Sequence, residues 1–403
     1  MSLALLINKD TIRKSLLILF FLTLPNSIAI HNIVLGLIII YWFLFENKKE
    51  TLKLIIKNPV VFSIYIFFVL FFLSIFWTDN FSWAIVILTK EIVLLSVPII
   101  MSIVRENEKE LLIKIFVLSM TFSEIISYMV HFKIIPPIFK TTVYDPTPFM
   151  SHISYNVLLA FCIYILIFFL FTLKENKLFK FISIIFIITM TINLFITGGR
   201  AGQVGFFVLF TLAIFQFFKI NIKSFILVLI ILPLIFISAY NFSKIFKTRI
   251  NAAITDIKNI KHNPNSSVGL RIIFAKNSIE LIKNHPFGVG VGDFPTEYEK
   301  INKKNTPNAK STVQPHNMYL FVWASSGIIA FLGLLGIFIL QIIVAFKIKD
   351  KYQPLRIAFP ILFIVIMFSD SYLLVYQTTQ LFIAFSALLY KEASWNLIFK
   401  GNK

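Results

Sequence analysis

The stretch "VFSIYIFFVLFFLSIFW", residues 61–77, carries no charge in seventeen positions, and runs like it recur along the whole chain. Lipid offers no hydrogen-bond partners, so a spanning segment must satisfy its own backbone, and a helix of about 20 apolar residues does so across roughly 30 Å of hydrocarbon. Composition agrees: 58% of the 403 residues are hydrophobic, 47 are Phe, and only 14% are charged. A soluble core could not hide that much apolar surface. The sequence therefore predicts an all-α, polytopic integral membrane protein.

Twelve spans are expected, at about 14–30, 32–46, 59–77, 82–104, 111–132, 152–173, 180–197, 202–218, 223–240, 317–346, 355–370 and 373–390. The second is short and the tenth long, which predicts tilt or interfacial ends there. The first, with Lys9, Arg13 and Lys14 at its start and the small residues Ser27 and Ala29 near its end, imitates a signal peptide. We read it as an uncleaved span, because another span follows at once. Nine spans in residues 1–240, a long loop over 241–316 and three spans with a tail over 317–403 make up the expected organisation.

The formal net charge of +19 would suggest nucleic acid in a soluble chain. Here most of the basic residues flank spans and set their orientation. With the N-terminus inside, the seven inner segments hold 22 of the 38 Lys and Arg, whereas the short outer loops hold only Lys133, Lys140 and Arg200. Both termini are expected inside, with the long loop and the 196–202 turn outside. A single cysteine, Cys162, allows no intramolecular disulfide, and no metal-ligand spacing is present.

The long loop has 12 basic and 5 acidic residues, which points to an anionic partner. Within it, Leu270, Ile273, Phe274, Ile279 and Ile282 recur at near-helical spacing, predicting an amphipathic helix on the outer membrane surface that ends before Pro286. The "GVGVG" of residues 288–292 follows no strand of a nucleotide fold and is read as a turn beneath that helix.

Arg200 sits in "ITGGRAGQVGFF", a glycine turn with almost no loop, on the side where short loops avoid positive charge. A guanidinium fixed there presents paired donors suited to phosphate. Arg271 opens the loop helix, and His316 stands immediately before the tenth span, where an imidazole can accept or position a hydroxyl proton. Lys90, Glu91 and Glu124 lie within spans, where an ionisable group faces a partner or a cavity. A Lys90–Glu124 pair is one reading. His152 and Tyr155 are placed at the outer interface, as contacts for a glycan. His31, His131 and His262 show no ligand spacing and are read as structural.

The order of three segments resembles the O-antigen ligase and polymerase superfamily: Thr197-Gly198-Gly199-Arg200-Ala201-Gly202, then Arg271 with His285-Pro286-Phe287-Gly288-Val289-Gly290, then His316-Asn317 with Gly327 after nine residues. The likeness covers roughly residues 150–345, with Ala330 where the ligase pattern often has Gly, Thr or Tyr. It implies a GT-C-like glycosyltransferase of the bacterial inner membrane with a periplasmic site and no metal or other cofactor. Its donor would be a glycan on undecaprenyl diphosphate, and its acceptor lipid A–core. Arg200 and Arg271 would hold the diphosphate and His316 the acceptor hydroxyl, making these three the catalytic set. Asn317, His152, Tyr155, Lys90 and Glu124 would contact glycan or line its groove. A polymerase or a protein O-glycosylating enzyme would use the same arginines. A transporter or flippase is the rival from another class, against which stands the lack of a two-half repeat.

Overall fold

The computed structural model describes residues 8–139, 141–259 and 262–399, so Lys140 of the outer loops lies outside the described residues. These residues form helices and connecting turns, without a named strand among them. The first part of the bundle comprises α1 (Lys9–Thr23), α2 (Ile28–Phe45), α3 (Lys48–Lys57), α4 (Pro59–Leu73), α5 (Phe81–Glu91), α6 (Val97–Ile103), α7 (Lys109–His131) and α8 (His152–Thr172). Next come α9 (Lys177–Ile196), α10 (Arg200–Phe218) and α11 (Ile222–Phe242). The long loop folds as α12 (Lys244–Lys258), α13 (Ser267–Asn284) and α14 (Phe294–Asn305), and the chain returns through α15 (Met318–Lys347), α16 (Gln353–Ile366), α17 (Tyr376–Leu389) and α18 (Trp395–Phe399).

Nine helical segments among the described residues are long and apolar enough to cross a membrane, and they correspond to the second through tenth expected spans. The other three expected spans appear as α1, α16 and α17, with 15, 14 and 14 residues. At 1.5 Å per residue these helices reach only about 21–23 Å. The shortfall after α16 has a cause: the chain leaves the helix at Met367 and runs irregularly to Val375. Side chains cover its carbonyls, Thr378 Oγ1 donating to Tyr372 O and Thr379 Oγ1 to Leu373 O, both at 2.6 Å. Irregular backbone at such depth is tolerated where protein buries it or where it lines a cavity.

The bundle is organised around α8. Every residue from Ser154 to Phe169 is buried, which is what a helix apolar on all sides requires. α10 packs against α8 at backbone distance, and Gly202 is the reason, since a Cβ there would collide with the backbone and side chain of Asn156.

Helix α13 forms where its spacing predicts it, but most of its expected apolar side meets protein, with Leu270 half-buried and Ile279 left exposed. Ile273, Phe274, Leu281 and Ile282 are buried as it packs against α12, α14 and α15. The turn after it docks into a break in α15 at Gly327, whose φ of 85° lies in the left-handed region that favours glycine. Val289 N donates to Ala324 O, Gly290 N to Ser325 O and Ile328 N to Pro286 O, at 2.9–3.0 Å. The "GVGVG" segment thus mends the backbone of a broken helix.

Candidate functional site

One cavity of about 270 Å³ opens where α8, α10, α12, α13 and the 367–375 segment meet. Its wall includes Arg200, Arg249, Arg271, His152, Ser267 and Tyr372, with the Gly198–Gly199 turn. Arg200 is the first residue of α10, and its Nη2 donates to Ser267 Oγ at 3.1 Å. Ser267 and Arg271 are one turn apart on α13 and so share a face. Arg249, from α12, lies against the glycine turn: a Cβ on Gly198 would stand 3.2 Å from its guanidinium.

The turn carrying Arg200 is held from beneath by Asn156. Its Nδ2 donates to Leu194 O and to Gly199 O, both at 3.1 Å, while its Oδ1 accepts from Thr197 Oγ1 at 2.6 Å. Gln203 Nε2 adds bonds to Leu194 O and Thr197 O at 3.1 Å. A side-chain amide buried among apolar residues must find partners, and here they are the carbonyls left over at the end of α9. The arginine is thereby aimed by a rigid base.

His316 does not line the cavity but borders it. Its φ of 51° is unusual for a non-glycine residue and costs about 1 kcal/mol or more. Three contacts hold it there: Nδ1 pairs with Asp370 Oδ1 at 3.2 Å, Phe274 stacks on the ring at 5.9 Å, and Met318 N donates to Met367 O at 2.9 Å. Phe274 follows Arg271 by one helical turn, and Asp370 stands between the wall residues Ser369 and Tyr372. Asn317 caps α15, accepting from Leu320 N at 3.1 Å, and ties it to Phe368 O at 3.2 Å. Tyr372, almost wholly buried, completes this side of the wall.

Other residues singled out from the sequence fall elsewhere. His152 is on the cavity wall, but Tyr155 is fully buried and turns away, its Oη donating to Asn193 Oδ1 at 2.9 Å. A glycan cannot reach it. Lys90 and Glu124 are not brought together: Lys90 is exposed on α5, whereas Glu124 is buried on α7, without an ion-pair partner among the described residues. Glu91 is buried likewise. Sequence reading missed Arg249 and Asn156. Arg249 lies among scattered loop cations, and only the rotation of α12 distinguishes it. Asn156 was visible as an amide inside an apolar run, but its partners are 38 and 43 residues away.

Among the described residues, Arg13, Arg105 and Arg356 sit in ion pairs, whereas Arg200, Arg249 and Arg271 have no carboxylate within 4 Å. Nor do those residues contain a cluster of three or more His, Cys, Asp or Glu side chains arranged to hold a metal. The cavity is a cationic recess, and guanidinium groups offer paired donors of the kind that suit an anion with several oxygens.

Residues 185–335 match the family model described as O-antigen ligase. A Haemophilus influenzae protein, described as uncharacterized, is 32% identical to this chain over 176 residues. That similarity covers 42% of this chain and 43% of the relative, so less than half of the relative's length is spanned. The matched region contains all three cavity arginines, His316 and Gly327, while His152, Asp370 and Tyr372 lie beyond it. Over residues 185–335, then, the chain is similar to the O-antigen ligase family.

Proposed function

We propose that this protein is an O-antigen ligase, moving a glycan from undecaprenyl diphosphate onto lipid A–core at the periplasmic face of the bacterial inner membrane. The observation that carries the reading is the set of three arginines around one cavity, without carboxylate partners among the described residues. It sits at the end of the bundle where the charge bias of the short loops predicts the outside. In this reading the molecule is a twelve-span, GT-C-like enzyme with both termini cytoplasmic, and it binds membrane lipids and no nucleic acid.

The leaving group is a lipid diphosphate, which gains negative charge as its bond to the anomeric carbon breaks. Positive groups already fixed there stabilise that charge without reorganising. At an effective dielectric of about 20, one unit charge 4 Å from another contributes roughly 4 kcal/mol, so two or three arginines suffice to serve where other enzymes use a metal. Arg200 and Arg271 hold the diphosphate, with Arg249 as a third contact. His316, kept in one ring orientation by Asp370, receives or orients the acceptor hydroxyl for displacement with inversion.

The test is transfer by purified protein in detergent, from an undecaprenyl-diphosphate glycan to lipid A–core, with EDTA present. The ligase reading expects conjugate without ATP, and its loss in Arg200→Ala and His316→Ala proteins that remain folded. Donor that lengthens without consuming lipid A–core means a polymerase. Neither product from folded protein overturns glycan transfer to these acceptors.

A further inference from the structure

The cavity is flanked by two histidine–carboxylate pairs of the same construction. His316 Nδ1 meets Asp370 at 3.2 Å, and His152 Nδ1 meets Asp145 Oδ2 at 2.7 Å. Only His152 lies on the cavity wall itself, among the arginines. It stands at the start of α8, a helix buried over most of its length, and Asp145 comes from the irregular segment that leads into it. With Nδ1 engaged, Nε2 is the ring nitrogen left for the cavity. A carboxylate behind a histidine fixes its tautomer and favours the charged ring.

We propose that His152, positioned by Asp145, is the proton donor to the departing diphosphate, while His316 takes the proton of the acceptor hydroxyl. The inference rests on the glycan-transfer reading above. The acceptor oxygen bonds to the anomeric carbon, and the carbon–oxygen bond to the diphosphate breaks, its electron pair going to the diphosphate oxygen. The hydroxyl proton passes to His316, and the Nε2 proton of His152 passes to the departing oxygen. One proton exchanged through water resets the pair. The groups that face His152 are Arg200 on α10, Arg249 on α12, Arg271 on α13 and Tyr372, with Asp145 behind the ring. A diphosphate held by the arginines would stand beside the same ring.

Two measurements on the full-length protein in detergent test this. The first is kcat against pH for glycan transfer. In the wild type the rate should fall on the alkaline side as the donor loses its proton. His152→Gln should lower kcat by about 10²-fold, a typical contribution of general acid–base catalysis, leave KM within about twofold, and abolish the alkaline limb. Asp145→Asn, which keeps the imidazole, should shift that limb to lower pH, and His316→Gln should remove the acid limb instead. The second measurement needs no turnover: proton uptake on binding inorganic pyrophosphate, by calorimetry in buffers of different ionisation heat. Uptake should be smaller in His152→Gln than in wild type and unchanged in His316→Gln. An alkaline limb that survives in His152→Gln, a rise in KM alone, or equal proton uptake in both proteins overturns the inference. Wild-type protein that binds pyrophosphate with His152-linked uptake yet transfers no glycan overturns the function reading, and with it the donor role of His152, leaving only its coupling to a bound diphosphate.

Discussion

The two ends of the bundle use the same side chains to opposite effect. At the end where α1, α7 and α16 begin, the best-buried cations are matched to carboxylates. Arg13 grips Glu108 at 2.6 and 2.7 Å, buried Lys109 lies between Glu106 and Glu392 at 2.8 and 2.7 Å, and fully buried Arg356 pairs with Asp350. At the end where α8, α10 and α15 begin, Arg200, Arg249 and Arg271 crowd one cavity with each other for neighbours. A buried charge left alone is costly, so the first end is what stability selects. At the second end Arg200 and Arg271 are half-buried and Arg249 is exposed, so water can solvate their charges where no carboxylate does.

That contrast can be broken by experiment. The largest effect expected is on transfer: Arg200→Gln should lower the rate by about 10²–10³-fold, the scale of losing a preorganised charge contact. Its thermal midpoint should stay equal or rise, because a like charge has been removed. A fall in stability to match the fall in rate would show the two ends to be alike. Next, Arg13→Ala should cost about 3–5 kcal/mol by stranding buried Glu108, with normal turnover per folded molecule; denaturation and single-turnover assays separate the two. Arg249→Gln should raise the donor KM by roughly 10-fold, the weight of about 1.4 kcal/mol, and change kcat less than Arg200→Gln does. The smallest effect belongs to the exposed Lys53–Glu50 pair. Lys53→Ala should change stability by less than about 0.5 kcal/mol, as exposed helix pairs do.

Much of the architecture was legible because lipid imposes a simple rule. A long apolar run must be a helix, and nine such helices stand where the runs are. The rule fails where protein replaces lipid as the surroundings. α16 stops at Ile366 because the next residues build the cavity wall, and hydropathy is blind to that choice. It fails in the same way for α13, where protein covers Ile273, Phe274 and Ile282 of the expected apolar face. At the site, Arg200 was readable from its glycine turn, and Arg271 and His316 from family likeness. Arg249, Tyr372 and the Asn156 clasp depend on helix rotation and on pairings between distant segments. Tyr155 shows the converse, a residue near the right end of its helix whose side chain points the wrong way.

The 367–375 segment, finally, sets an order of manufacture. It supplies Asp370 to His316, Met367 O to the start of α15 and Tyr372 to the cavity wall, yet it follows Arg200 by more than 160 residues of synthesis. A ribosome still making α15 has already delivered the three arginines to the membrane, but neither the fourth wall nor the histidine's anchor. A half-made chain therefore holds the charges without the enclosure, and the site is not whole until α16 and α17 are threaded in.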